Sequence, residues 1–357
     1  MDIKRRAFLG GAVAAGGALA APSPGSAATP PRPMRRISVE ECFATPEVVT
    51  ARSAPGAAGY GITATPAARQ RNTDLLLDIG EGRIRQMDED GVDVQILSLS
   101  GPGVQDFPAD LAVGLARDAN DQLVEAIRKY PTRFAGLGTL APQDVAFCIA
   151  EIERSKRSGL NGVIINSHTN GEYLDDPKFY PIFEALEALD MPLYIHPRDP
   201  SPQMAQPLRV PGFAVGWGYA VETGTHVVRM LGSGMFDRFQ KVNIVIGHMG
   251  EGVVFYLPRI DNRYVFEMNL RGGPRLARLP GDYFKERFHI TTSGMNYWPQ
   301  LKMSIEVMGI DRMIFAADYP MEIEKDAVDA INAAPMTDED KRKLYHVNAE
   351  RLFKIPA

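Results

Sequence analysis

The chain is nearly devoid of cysteine: 357 residues carry only Cys42 and Cys148. Two thiols cannot build a disulfide framework. A single bond between them is not expected either. Cys148 falls on the helix after the third strand, while Cys42 points towards the mouth of the barrel argued below, so the closure geometry is wrong. No basic block follows the N-terminus, and the net charge is −5 with a pI of about 5.8, which argues against a nucleic-acid partner. A glycine-rich phosphate loop after an early strand is missing, since "GEGRI" lies inside a helical stretch. No internal repeat of fixed period is present.

The chain also lacks a long apolar run. The one near the N-terminus is too short and too glycine-rich to span a bilayer stably, so no membrane association is expected of the mature protein. It reads as an export signal over residues 1–28: Lys4, Arg5 and Arg6, an Ala/Gly stretch, then small-residue cleavage patterns at Ala18-Leu19-Ala20 or Ser26-Ala27-Ala28. Arg5-Arg6 followed by Phe8-Leu9 resembles a twin-arginine signal, with an ordinary secretory signal as the alternative. No cysteine lies near the cleavage patterns, so a lipoprotein anchor is not expected. The reading predicts a periplasmic or otherwise exported protein. Residues 29–35 form a proline-rich linker, and 36–357 the folded domain.

Hydrophobic residues are plentiful, at 45%, enough for a large core. Short Val/Ile/Leu-rich segments alternate with helical-period stretches. The segments are "RISVEECF" (36–43), "VQILSLS" (94–100), "FAGLGTL" (134–140), "GVIINSH" (162–168), "PLYIHP" (192–197), "NIVIGHMG" (243–250), "FHITTSG" (288–294) and "RMIFAADYP" (312–320). Eight strands alternating with helices over roughly 320 residues predict a distorted (β/α)8 TIM barrel, with an extra helix after the eighth strand. An open doubly wound sheet is the rival. The Gly/Ala-rich stretch 53–65 predicts a long loop over the top of the barrel.

Polar and ionisable residues gather at the C-terminal ends of these strands: Glu40 and Cys42, Asn166 and His168, His196, His248 and Glu251, Ser293, and Asp318. Active sites of this fold lie at that face. Glu40, His196 and Asp318 offer two carboxylates and one imidazole, three ligands that leave positions open for water or substrate. Such a donor set suits Mn²⁺ or Zn²⁺. Two of them have a plainer reading, His196 as a satisfied core histidine and Asp318 as a helix N-cap. His248 and Glu251, three apart, form a candidate acid–base pair or a local bond that orients the turn. Cys42 is open between a thiolate ligand, a packed hydrophobe and a bystander that leaves a position to water.

The stretches "EECFATPE", "LLLDIGEGRIRQMDEDGVDVQILSLSGPGVQ", "INSHTNGEYLDD", "LYIHP", "VIGHMGE" and "AADYP" resemble the amidohydrolase-related nonoxidative decarboxylases, whose members include the 5-carboxyvanillate, γ-resorcylate and aminocarboxymuconate-semialdehyde decarboxylases. The likeness runs from about Arg36 to the C-terminus. It implies a barrel of the metal-dependent hydrolase superfamily, one divalent metal on Glu40, His196 and Asp318, and no organic cofactor. It further implies a small ortho-hydroxylated aromatic acid as substrate, Asp318 as proton donor, and His248 and Glu251 close to the substrate. Many members carry histidine where Cys42 stands. The 5-carboxyvanillate enzymes carry a small non-ligating residue there, and Cys42 is closer to that pattern. A tyrosine those enzymes have three residues after the strand-8 aspartate is Met321 here, which leaves the substrate open. His168 and Asn166 are further candidates for substrate binding. Arg69 or Arg71, and Arg271 or Arg275, are candidates to hold the substrate carboxylate. A homo-oligomer, dimer or tetramer, is expected. A mononuclear hydrolase acting on a lactone or cyclic amide is the alternative, and a non-catalytic binding protein a third. A binuclear hydrolase is disfavoured by Glu-x-Cys on the first strand and the absence of lysine in "GVIINSH".

Overall fold

In the computed structural model, residues 34–53, 65–272 and 275–356 are described. The expected export signal, most of the linker and most of the loop expected over the mouth lie outside the described residues. The β-branched segments form all eight expected strands: β1 Ile37–Phe43, β2 Val94–Leu99, β3 Phe134–Thr139, β4 Gly162–Asn166, β5 Leu193–His196, β6 Ile244–Ile246, β7 Phe288–Thr291 and β8 Met313–Ile314. They pair in parallel in chain order. The Val39 N–H donates to Phe315 C=O and the Cys42 N–H to Tyr319 C=O, which joins the chain after β8 to β1. The result is a nearly closed (β/α)8 barrel, as the alternation predicts.

Two apolar layers hold it. Ile37, Val39, Ile96, Leu137, Ile164 and Val245 form one buried cluster with Leu352 and Phe353. The last two belong to the helix Asn348–Phe353, so the extra C-terminal helix packs against the barrel's inner residues. Phe43, Leu97, Ile165, Ile195, Ile246 and Phe288 fill a second layer with the surrounding helices. Burial of each such side chain is worth about 1.5–3 kcal/mol. Both cysteines are buried and free, as expected. Among the described residues, no helix is long and apolar enough to cross a membrane.

Two strands are shorter than their sequence suggests. β6 ends at Ile246, and "HMGE" forms a tight turn with His248 at φ 49° and Met249 at φ 54°. β8 has two residues, and its expected continuation, "FAADYP", runs on irregularly. In both places a polar residue leaves the sheet where the mouth begins, so local β propensity yields to the needs of the site.

Two histidines of the scaffold are held neutral. His226 accepts the Leu174 N–H at Nε2 (2.9 Å) and lies 3.2 Å from Ser167 Oγ through Nδ1. Burial above all, with His168 and Arg229 beside it, pushes it down to about 3. Burial and Arg312 do the same to His289. Above the ordinary histidine range both folded and unfolded chains are neutral here and nothing is lost. Below it the unfolded chain takes up protons that the folded chain refuses, so stability falls as pH drops from about 6.5 towards 3. At pH 5 the loss is about 2 kcal/mol per histidine. Buried carboxyls with raised pKa give an opposing slope. The histidine contribution is therefore read as the difference between wild type and His226→Gln in denaturant unfolding at pH 7.5 and pH 5. Parallel pH dependences in the two proteins would refute it.

Candidate active site

The first strand delivers two consecutive glutamates to opposite sides of the barrel wall. Val39 pairs with Ile96 and Glu41 with Leu97, so Glu40 is an extra residue, a β-bulge, at φ 106°. Simple alternation would set Glu40 and Cys42 on the face opposite Val39. With the bulge, Glu40 reaches into the barrel together with Val39, and Cys42 still turns towards the mouth, while Glu41 faces the outer layer. Glu40 is buried, and its Oε2 accepts hydrogen bonds from the Tyr194 hydroxyl and from Thr291 Oγ1 (2.9 Å for the latter).

Glu40 Oε1 has no hydrogen-bond partner among the described residues, and neither does His196 Nε2. The two atoms lie 3.6 Å apart. His196 Nδ1 is 2.7 Å from Pro197 C=O, which can only accept, so the ring proton sits on Nδ1 and Nε2 presents a lone pair. Two buried acceptors facing each other without a donor are costly unless a cation joins them. Ligand atoms of Cys42, His196 and Asp318 also lie within 4.8 Å of one another. The donors thus fit one divalent metal, with Cys42, His196 and Asp318 as the compact group and Glu40 joined to it through His196, and the satisfied-core reading of His196 fails. The N-cap reading of Asp318 fails as well, because the next helix starts at Glu324 with Ile323 at its cap.

Gly247, just before His248, makes room for this arrangement. A Cβ there would come within 2.6 Å of Glu40 Oε1. Gly247→Ala should therefore displace Glu40 and weaken divalent-metal binding about 10- to 100-fold, with the fold retained. Titration of metal-stripped protein by calorimetry checks this, and an unchanged affinity would remove Glu40 from the ligand set.

His248 is the hub of the charges. Its Nδ1 bonds Glu251 Oε1 (2.7 Å), and its Nε2 lies 3.5 Å from Asp318 Oδ2 and 3.8 Å from Glu40 Oε1. Burial opposes the imidazolium, yet Glu251, Glu40 and Asp318 together outweigh it and hold the histidine well above its ordinary range. Burial, with the charge of Glu40 added, pushes the Asp318 carboxyl up to about 6 despite the nearby His248. The metal-free mouth thus pairs a charged imidazole with a carboxyl that can hold a proton near neutral pH. Burial, then Asp318 and Glu40, push the Cys42 thiol well up, so it stands there as a neutral thiol. Glu40, His248 and Asp318 all have left-handed backbone, at φ 106°, 49° and 76°, each costing of order 1–3 kcal/mol.

A cavity of about 1090 Å³ opens above these groups, its walls including Trp217, Met295 and Met321. Not every candidate from the sequence reaches it. His168 does not line it: Nε2 bonds Asp199 C=O (3.0 Å) and Nδ1 accepts the Gly171 N–H (3.1 Å), so both ring nitrogens serve the backbone. Asn166 lies behind His196, against the Gly101–Gly103 turn. Arg69 and Arg71 are exposed on the helix Pro66–Leu77, whose cavity-lining residue is Asn72. Arg271 and Arg275 are exposed as well, Arg275 bonding Asn269 Oδ1 (2.7 Å). The arginines that line the cavity are Arg198, Arg229, Arg259 and Arg263. Arg198 is committed to Asp106, and Arg229 to Asp175 through two bonds of 3.0 and 2.9 Å. Arg259 and Arg263 have no ion-pair partner among the described residues, and Arg263 lies over the Phe266 ring. Their spacing of four within one helical stretch was the available signal for a shared face. Glu41, which the sequence reading passed over, is wholly buried beside the site.

Fold and mouth together define the class: a (β/α)8-barrel protein with a cation-ready polar centre at the C-terminal ends of its strands. The chain belongs to the amidohydrolase family, whose model matches residues 19–355. It is similar to a γ-resorcylate decarboxylase of a Polaromonas strain, 36% identical over 331 residues, which cover 90% of this chain and 98% of that one. It is similar in structure to 5-carboxyvanillate decarboxylase from Sphingomonas paucimobilis, with TM-score 0.84 and 42% identity over 90% of this chain and all of that one. A 5-carboxyvanillate decarboxylase from Novosphingobium aromaticivorans, complexed with manganese and 4-hydroxy-3-methoxy-5-nitrobenzoic acid, matches with TM-score 0.86 and 38% identity, covering 90% of this chain and 96% of that one.

Proposed function

We propose that the protein is a metal-dependent nonoxidative decarboxylase of an ortho-hydroxylated aromatic carboxylic acid, with Glu40, His196 and Asp318 as metal ligands. The observation that carries this reading is the pair of partnerless acceptors, Glu40 Oε1 and His196 Nε2, facing each other, with Asp318 beside His196. The decarboxylase relatives support the reaction, and the manganese of one relative supports Mn²⁺ over Zn²⁺.

A divalent cation bound there would supply Lewis-acid attraction for the substrate's phenolic oxygen and carboxylate. The chain's own residues do the rest. Trp217, Met295 and Met321 offer apolar surface to the ring and keep water from it. Asp318 gives its proton to the ring carbon that bears the carboxylate. The carbon–carbon bond then breaks, its electron pair restores the aromatic ring, and CO2 leaves. His248, oriented by Glu251, holds the Asp318 carboxyl in place and balances its charge once the proton has gone. Arg259 and Arg263 offer an anionic ring substituent a partner at the outer end of the cavity. CO2 release from a panel of ortho-hydroxybenzoates with added Mn²⁺ tests the proposal. Turnover of lactones without CO2 release would replace it with hydrolysis.

Residues 1–28 support export by the twin-arginine route, which carries folded, metal-loaded proteins. Cell fractionation of a doubly substituted Arg5→Lys, Arg6→Lys chain tests it, and undiminished periplasmic recovery would point to ordinary secretion. The helix Val253–Arg271 supports self-association: Phe255, Tyr256, Phe266 and Leu270 are all at least half exposed on it. Light scattering at micromolar concentration checks this, and a monomer would end it.

A further inference from the structure

Glu41 is fully buried on the outer side of β1, next to the segment that carries Asp318. Its Oε1 accepts the Ser38 hydroxyl (2.5 Å) and the Ala317 N–H (3.0 Å), and its Oε2 accepts the Tyr319 N–H (2.7 Å). The two N–H groups are those immediately before and after Asp318. One carboxylate therefore grips the chain on both sides of a residue whose φ, 76°, is disfavoured for any side chain with a Cβ. Arg83 reinforces the grip from behind. Its guanidinium, also fully buried, donates to Cys42 C=O (2.6 Å) and lies 4.9 Å from the Tyr319 ring centre.

We propose that Glu41 is a positioning residue for Asp318: its two-pronged hold on Ala317 and Tyr319 fixes the left-handed backbone that aims the Asp318 carboxyl at the metal-binding mouth. Satisfying a buried N–H takes one acceptor. Spanning two N–H groups two residues apart does more, because it fixes the dihedral angles between them. The bulge at Glu40 makes this possible, since it turns Glu41 outward while Glu40 serves the interior. The inference rests on the reading of Asp318 as metal ligand and proton donor.

The test compares full-length wild type with Glu41→Gln, Ser38→Ala, Tyr345→Phe and Asp318→Asn. Three quantities are measured on each: Mn²⁺ affinity of metal-stripped protein by calorimetry, kcat and KM at saturating Mn²⁺, and the unfolding temperature of the metal-free form. Glutamine can accept only one of the two N–H bonds and turns its own NH2 against the other. Glu41→Gln should weaken Mn²⁺ binding about 10- to 100-fold and lower kcat by a similar factor. Ser38→Ala keeps both N–H bonds and removes only the supporting hydroxyl, so it should shift both quantities in the same direction by about threefold. Tyr345→Phe removes a buried hydroxyl bonded to Val328 C=O and Asn332, away from the mouth. It should lower the unfolding temperature and leave Mn²⁺ affinity unchanged, which sets the level of a purely structural loss. A folded Glu41→Gln protein with lowered unfolding temperature but wild-type Mn²⁺ affinity and kcat would overturn the proposal. Should that variant not fold, unchanged affinity and kcat in Ser38→Ala would overturn it instead. Wild-type affinity and kcat in Asp318→Asn would sink the reading of the site itself, whatever Glu41→Gln does.

Discussion

Asp318→Asn lowers kcat for CO2 release by about 10³-fold or more, with a much smaller change in KM. The expectation follows from what the substitution removes. Asparagine keeps the size of the side chain and one oxygen that can face a metal, but it has no proton to give. Loss of a positioned general acid alone costs about 10²–10⁴ in rate. Asp318 also contributes charge beside Glu40 and His248, so its neutral isostere should loosen the arrangement as well. Burial raises its pKa to about 6 before any metal binds. Steady-state kinetics on whichever ortho-hydroxybenzoate the wild type prefers would show the loss. A variant within tenfold of wild type would move the proton donor elsewhere, with His248 the next in place.

Removing the metal, or Glu40 as its proposed ligand, should abolish turnover. Glu40→Gln leaves the Tyr194 and Thr291 hydroxyls bonded to an uncharged group and turns an amide towards His196. Metal content after purification should fall to background, and Mn²⁺ should not rescue activity. In the wild type, chelation should give the same loss, reversed by Mn²⁺. A ligand present at 100 times its Kd stabilises the folded state by about 2.7 kcal/mol, or roughly 5 °C in Tm for a chain of this size. Differential scanning with and without Mn²⁺ reads that shift. Cys42→Ala provides the contrast: as a neutral thiol beside the site, its loss should leave metal content and activity within about threefold. Loss of metal in that variant would instead make the thiol a fourth ligand and point to zinc.

The barrel was legible because its signals are periodic: eight short β-branched runs, spaced by helical chain, leave little choice of architecture. Glu40, His196, His248, Glu251 and Asp318 could be gathered into one candidate site because they end strands, and strand ends are visible in sequence. Two things were not. The bulge at Glu40 depends on pairing with β2, which no local pattern encodes. The cavity arginines depend on where one long helix passes, so those near its ends were chosen over Arg259 and Arg263 within it. His168 illustrates the reverse error: a histidine at a strand end was read as functional, but it supports the loop behind the mouth through two backbone bonds.

The bulge in β1 also decides which changes this strand can survive. A substitution at position 42 leaves the pairing of the strand as it is, so its effect is confined to the thiol's own place beside His196 and Asp318. The length of the strand cannot change so easily. Dropping either member of the Glu40–Glu41 pair leaves one and the same sequence, and a regular strand in which the remaining glutamate falls on the outward position. The interior would then face its metal with no carboxylate from this strand. A substitution at position 42 and a single-codon deletion at 40–41 therefore differ in kind: the first keeps the register of the strand, while the second should turn its one remaining glutamate away from the mouth.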